Sequence, residues 1–144
     1  EKQLDQLIPT LTQPVLGFCL GMQLMANNSQ ESTLANEVET TTCLGVIPVD
    51  VIKLASDGLR LPHMGWNNLV NLQSHPILAG VDEQEFVYFV HSYCVPVSEY
   101  TIATCEYGMP FSAAIAKNNF VGCQFHPERS SVVGQRIIRN FLTM

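Results

Sequence analysis

Two short stretches of the chain carry side chains capable of bond-making chemistry. One is Gly17-Phe18-Cys19-Leu20-Gly21, a cysteine between two glycines, which follows an apolar run and opens a helical pattern. The other is Phe125-His126-Pro127-Glu128-Arg129, in which an imidazole and a carboxylate flank a proline. A strand that ends in a tight turn, with small residues on both sides, bends sharply and presents one side chain at a helix N-terminus. Unpaired N–H groups and the helix dipole there favour thiolate over thiol. An ordinary cysteine, with a pKa of about 8.5, is only a few per cent ionised at neutral pH, so this placement is expected to depress the pKa of Cys19 and make it a nucleophile.

In an extended segment, residues two apart point the same way, so His126 and Glu128 are expected to face one site with Pro127 fixing the backbone between them. A carboxylate held on one imidazole nitrogen leaves the other free as acid or base. Taken alone, such a pair also suits a purely structural role. Cys19 and His126 stand 107 positions apart, and spacing does not bring them together.

The elements that position these residues follow from periodicity. Leu4, Leu7, Ile8 and Leu11 give residues 1–11 the look of an amphipathic helix end. Residues 13–18 (QPVLGF) fit a buried strand of a parallel sheet, and residues 20–26 fit a helix ending at Asn27-Asn28-Ser29. Residues 30–42 are polar and aperiodic, which reads as a surface loop. From Val46 to Leu54 apolar and polar residues alternate up to a hairpin-type Asp57-Gly58, suggesting antiparallel strands. Residues 86–95 (FVYFVHSYCV) are almost continuously aromatic or β-branched, as expected of a central strand covered on both faces. Three short strands follow at 101–106, 112–117 and 120–125, and Val133, Ile137 and Phe141 mark an amphipathic terminal helix over 131–144.

With 144 residues, 47% hydrophobic, the chain suffices for a single domain, residues 1–144. Seven basic against thirteen acidic residues, with no basic run, disfavour a nucleic-acid partner. No apolar stretch nears the roughly 20 residues that span a bilayer. The odd count of five cysteines, at 19, 43, 94, 105 and 123, argues for reduced thiols in the cytoplasm, and no CxxC or HExxH marks a metal site. Cys43, Cys94, Cys105 and Cys123 are expected to pack as small apolar residues. His91, in an apolar strand, reads as a core residue without a catalytic role, and His75 as a turn residue.

GxCLGMQ at 17–23 followed by QFHPE at 124–128 resembles the class I (triad) glutamine amidotransferases. PHMGWN at 62–67 and YFVHSY at 88–93 are similar to the glutaminase subunits of imidazole glycerol phosphate synthases, of histidine biosynthesis. The resemblance implies a three-layer, flavodoxin-like α/β fold with a largely parallel central sheet and an added antiparallel segment. It implies a Cys19-His126-Glu128 triad that hydrolyses glutamine through a glutamyl thioester, without a cofactor or metal. Gln23, one helical turn beyond Cys19, would contact the substrate, as would Ser92 and Tyr93, and the Leu20 N–H would be one oxyanion donor. Pro62, His63, Met64, Trp66, Asn67 and Arg129 would lie towards a (β/α)8 cyclase subunit that receives the ammonia in a heterodimer. On its own, the PHMGWN stretch reads as a Gly-containing turn with Trp66 filling core space.

The βα units and Gly-rich loop that precede the nucleophile strand in this family are missing from the sequence, and with them a second oxyanion donor. The expectation is therefore a truncated domain with an exposed sheet edge beside residues 13–18 and little glutaminase activity alone. Two other functions fit the motifs less fully. One is a binding module with a dead site; the other is a different Cys-His-Glu hydrolase such as a γ-glutamyl peptidase, against which PHMGWN and YFVHSY argue.

Overall fold

Short runs of small, β-branched and aromatic residues, three of them in the last third of the chain and one near its start, build the main sheet. The structure is a computed structural model that describes residues 3–31 and 40–144. Strands β1 (Val15–Phe18), β8 (Thr101–Glu106), β9 (Pro110–Lys117) and β10 (Phe120–Cys123) form a four-stranded sheet in the order β1-β10-β9-β8. β1 runs parallel to β10, and the other two pairings are antiparallel. The α/β class is as expected, but the largely parallel sheet is here a mixed one, because tight turns join β8, β9 and β10 directly. β1 is an outer strand among the described residues and only Gly17 in it is fully buried, so it is not the buried strand its apolar run suggested.

Neighbouring residues of β10 point to opposite faces and enter different cores. Val121 and Cys123 join a cluster with Phe89, Phe111, Phe125, Val133 and Ile137. Phe120 joins Met22, Met25, Ile47, Val51 and Val95 on the other side. Helix α3 (Ser131–Leu142) covers the first face with Val133 and Ile137, as its four-residue period predicts. Over the second face lie the one-turn helix α2 (Leu20–Gln23) and β4 (Asp50–Lys53), whose sheet also holds β2 (Asn28–Ser29), β3 (Thr41–Thr42) and β7 (Tyr93–Cys94) in the order β3-β2-β4-β7. These faces give three layers.

A two-stranded ribbon of β5 (His63–Asn68) and β6 (Phe86–His91) completes the structure. The residue run 86–95 is therefore not one central strand. It breaks at Ser92, and β6 alternates buried Val87, Phe89 and His91 with more exposed Phe86, Tyr88 and Val90. PHMGWN is a strand, not a turn, and Trp66 stands 52% exposed outside the core. Asp57-Gly58 does turn the chain, with positive φ at both residues and Leu59 N–H donating to the Ser56 carbonyl. It is no hairpin, since β4 pairs with β7 and β5 with β6. Near the start, α1 (Leu4–Leu7) and a 3-10 turn at Ile8–Thr10 replace the longer helix and bury no residue. Part of the 30–42 loop expectation lies outside the described residues.

Candidate active site

The free edge of β6, opposite β5, is where the two reactive stretches meet. β1 ends at Phe18, in register with Cys123, and the chain then turns through Cys19 with φ 49° and ψ −107°. A non-glycine residue there stores on the order of 1–3 kcal/mol of strain. Two backbone bonds hold it: Cys19 N–H to the Cys123 carbonyl at 2.7 Å, and Gln23 N–H to the Cys19 carbonyl at 3.1 Å. Gly17 makes the turn possible, since a Cβ there would sit 2.5 Å from the Gly21 carbonyl carbon. Gly21 itself meets no such crowding, so only one of the two glycines is sterically required.

The sulfur of Cys19 lies 3.8 Å from the Val90 carbonyl oxygen and 3.7 Å from Gln124 Nε2. Its pKa is raised, not depressed. Burial is the largest cause, and the Glu31 and Glu128 carboxylates add to it, while the Leu20 N–H and the Gln124 amide pull the other way. The expected dipole effect is weak because α2 is a single turn of four residues. In this state the thiol is protonated and can donate to Val90.

His126 sits two residues along the same edge, its N–H donating to the Tyr88 carbonyl at 2.9 Å. Tyr88 and Val90, two apart on one strand, are about 7 Å from each other, so thiol and imidazole belong to one site. Nδ1 of His126 and Oε1 of Glu128 are 2.7 Å apart. The pair forms through a 3-10 turn at Pro127–Arg129, not through strand alternation. An ionised Glu128 fixes the proton on Nδ1. That leaves Nε2 as the free nitrogen, buried and without a hydrogen-bond partner among the described residues. Ser130 latches this turn to β6, donating to the His126 carbonyl at 2.6 Å and accepting from Tyr88 N–H at 3.0 Å. Gly134 of α3 packs directly on the Pro127 carbonyl, with no room for a Cβ.

Gln23 is 4% exposed, and its Nε2 donates to the Tyr93 carbonyl and to Gln124 Oε1, both at 3.1 Å. It also lines a cleft of about 270 Å³ with Leu20, Leu24, Ser29, Glu31, Thr41 and Cys43. Tyr93 enters the site through its backbone. Ser92 gives its carbonyl to Leu54 N–H, at the bend between β6 and β7.

Among the partner-facing residues, Pro62, Met64, Trp66 and Arg129 are exposed and Asn67 is half-buried, but His63 is 3% exposed. The side chain of His63 therefore belongs to the core, stacked on Phe89 and Tyr107, and not to a surface. Trp66 meets Tyr88 edge-on at 6.0 Å, and Arg129 lies 5.0 Å over the same Tyr88 ring. Cys94, Cys105 and Cys123 are buried, their thiols pushed up by burial to about 11, 12 and 12, whereas Cys43 is only half-buried. His75 accepts from Ile77 N–H at the start of a 3-10 turn. Among the described residues no group of three His, Cys, Asp or Glu side chains could hold a metal ion, and no helix is long and apolar enough to cross a membrane.

Gln124, fully buried between Gln23 and Cys19, carried no role in the sequence reading. A polar residue closing the apolar FVGCQF run was its only signal, and the β1–β10 register supplies the rest by placing it beside Cys19.

The family model for "Glutamine amidotransferase class-I" matches residues 1–144. The chain belongs to the class I glutamine amidotransferases. This amidotransferase chain is 56% identical over 151 residues to imidazole glycerol phosphate synthase subunit HisH of Colwellia psychrerythraea, covering 99% of the chain and 67% of that protein. It is 54% identical to the HisH of Shewanella sediminis and 49% identical to that of Escherichia coli (strain K12), covering the whole chain and 65% and 70% of those proteins. The chain thus spans about two thirds of the length of these relatives. Two solved structures share the amidotransferase fold. A putative GMP synthase component of Thermoplasma acidophilum matches with TM-score 0.69 and 19% identity over 97% of this chain and 61% of that one. A glutamine amidotransferase of Thermotoga maritima matches with TM-score 0.62 and 20% identity over 98% and 52%.

Proposed function

We propose that this chain is the glutaminase part of an imidazole glycerol phosphate synthase, hydrolysing L-glutamine and passing the ammonia to a cyclase subunit that makes imidazole glycerol phosphate and AICAR. The observation that carries the reading is the meeting of Cys19 and the His126–Glu128 pair on one edge of β6, with Nε2 of His126 buried and without a partner among the described residues. Relatives named HisH, at 49–56% identity, support the choice within the family.

Nε2 of His126 takes the thiol proton as Cys19 attacks the glutamine carboxamide carbon. The tetrahedral intermediate puts negative charge on oxygen, for which the Leu20 N–H is the donor this chain supplies. His126 then protonates the departing ammonia, and a glutamyl thioester remains on Cys19. Water, deprotonated by His126, releases glutamate and restores the thiol. Glu128 holds the imidazole tautomer and offsets the positive charge on the imidazolium in both halves. Gln23, Ser92 and Tyr93 border the substrate in this reading.

The raised pKa of Cys19 suits an enzyme that stays quiet until its partner docks. Free ammonia is largely protonated in neutral water, so its release is useful only when the acceptor is in place. The outer face of the β5–β6 ribbon, with exposed Met64 and Trp66 beside Pro62 and Arg129, is the surface we assign to the cyclase, whereas Asn67 turns its amide to His63 and the Glu106 carbonyl on the other face. A cytoplasmic location accords with five cysteines that form no disulfide.

The test is glutamine hydrolysis by the full-length protein, alone and with cyclase and its substrate. Stimulation by the complex, abolished by Cys19→Ala, is expected. Equal hydrolysis by the Cys19→Ala variant would overturn the reading, as would faster turnover of γ-glutamyl peptides than of glutamine.

A further inference from the structure

A set of polar side chains, in which Gln23 and Tyr93 are the members that also border the substrate, runs from β5 to the nucleophile. Asn67 Nδ2 lies 3.2 Å from His63 Nε2, His63 Nδ1 lies 2.9 Å from His91 Nε2, and His91 Nδ1 lies 2.9 Å from the Tyr93 carbonyl oxygen. That same carbonyl accepts from Gln23 Nε2, which donates also to Gln124 Oε1, and Gln124 Nε2 faces Cys19 Sγ. His63, His91, Gln23 and Gln124 are all buried.

The sense of every bond follows from one atom. A backbone carbonyl only accepts, so His91 must carry its proton on Nδ1 and present a bare Nε2. The facing Nδ1 of His63 must then be protonated, and its bare Nε2 accepts from the Asn67 amide. Towards the nucleophile, the Gln23 atom on the Tyr93 carbonyl must be its nitrogen. Gln124 must answer that nitrogen with oxygen, and its NH2 is left for the sulfur of Cys19. Reversing any one amide or ring would set donor against donor or acceptor against acceptor in a buried place, at about 1–3 kcal/mol for each group left unpaired.

The bend at Ser92 explains why His91 matters. Val90, before the bend, faces Cys19 with its carbonyl, and Tyr93, after it, holds Gln23 with its own. The His91 imidazole spans the bend and pins the second carbonyl relative to the first. We propose that the buried His63–His91 pair is a positioning device for the glutaminase reaction, fixing the Tyr93 carbonyl and through it the Gln23 amide, which orients the Gln124 NH2 that donates to Cys19. For its effect on turnover the proposal rests on the glutaminase reading. Asn67, next to exposed Trp66 on β5, is the outer end of the same chain of bonds. Both rings are neutral at pH 7, their pKa values lowered to about 4 by burial, as a one-proton-per-ring arrangement requires.

The experiment reads the thiol directly. Full-length wild type, His91→Leu and His91→Asn are alkylated with iodoacetamide from neutral to alkaline pH, and modification of the Cys19 and Cys43 peptides is followed by mass spectrometry. Glu31 and Glu128, whose carboxylates bear on Cys19, are the same in all three proteins. Losing the ordered Gln124 donor raises the apparent pKa of Cys19 further in His91→Leu, read as a reaction about two- to fourfold slower at neutral pH. Cys43 is unaffected, and His91→Asn, which keeps a donor near the Nδ1 position, restores most of the rate. His63→Phe preserves the aromatic stack and carries the same test if His91→Leu does not fold; the expected shift has the same direction. Unchanged Cys19 profiles in the folded variants would overturn the proposal, and so would His91→Asn behaving as His91→Leu. Glutamine turnover measured in parallel separates the two ideas. A wild type inert towards glutamine, with alkylation still sensitive to His91, defeats the glutaminase reading and leaves the positioning role; the reverse pattern defeats the positioning role alone.

Discussion

Replacing Glu128 by glutamine removes one charge and leaves the shape of the site almost unchanged, so its cost can be worked from the contact itself. The 2.7 Å bond from His126 Nδ1 to Oε1 is charge-assisted. Such bonds contribute roughly 1.5–3 kcal/mol against about 0.5–1.5 for a neutral pair. The difference, about 1 kcal/mol, applies when the imidazolium forms, and exposure of Glu128 at 46% screens part of it. The new amide is free to turn in solvent and can offer either its oxygen or its NH2 to Nδ1. Only the first preserves the tautomer that leaves Nε2 bare, which adds a few-fold penalty. The expected result for Glu128→Gln is a kcat about five- to thirtyfold lower with little change in KM. Glu128→Ala also loses control of the tautomer and falls towards the hundredfold or more that general acid–base catalysis contributes. The assay is steady-state glutaminase activity of the full-length protein with its cyclase, with melting curves to confirm folding. If both variants fold and turn over within about twofold of wild type, Glu128 does not act through His126 and the triad assignment fails.

Three further outcomes are expected. The unfolded chain binds protons at the ordinary histidine pKa of 6.5, while folded His63 and His91 refuse them until about 4; stability is therefore full above about pH 6.5 and falls as pH drops towards 4, by up to roughly 3 kcal/mol for each ring. Denaturant unfolding across that window checks it, and His91→Asn should flatten the slope. Gly134→Ala drives a methyl into the Pro127 carbonyl, so it should cost about 1–3 kcal/mol, seen as a melting temperature several degrees lower together with reduced activity from a displaced His126. Trp66→Ala removes an exposed side chain; it should weaken cyclase binding by about 1–2 kcal/mol or more in calorimetry while leaving the melting temperature within about a degree.

The reactive residues were legible because their neighbours are local. Gly17 and Cys19 define a turn within five residues, and His126 and Glu128 find each other two positions apart. The terminal helix and the three strands from residue 101 were legible for the same reason, since period and turn residues coincide there. What the sequence alone did not reveal is set by partners far along the chain. Residues 86–95 are mostly aromatic or β-branched, and nothing in them shows that β6 has a ribbon partner on one side and a catalytic edge on the other. The sign of the Cys19 shift was missed because burial outweighs a one-turn helix, and burial is a property of the assembled layers. Gln124 and His63 were misjudged in opposite directions. A buried amide at a strand end became part of the site, and a histidine in a motif assigned to a partner surface became core.

The free edge of β6 has a second meaning. A two-stranded ribbon with one side unpaired is a template onto which another extended chain can add, and folded proteins usually blunt such edges with charge, proline or a covering loop. Here the covering is the catalytic apparatus: Cys19 on the Val90 carbonyl, His126 on the Tyr88 carbonyl, and Ser130 on the Tyr88 N–H. Chemistry and solubility are therefore drawn from the same few bonds. Substitutions that loosen the His126–Ser130 turn should show themselves as strand-mediated self-association as well as lost turnover.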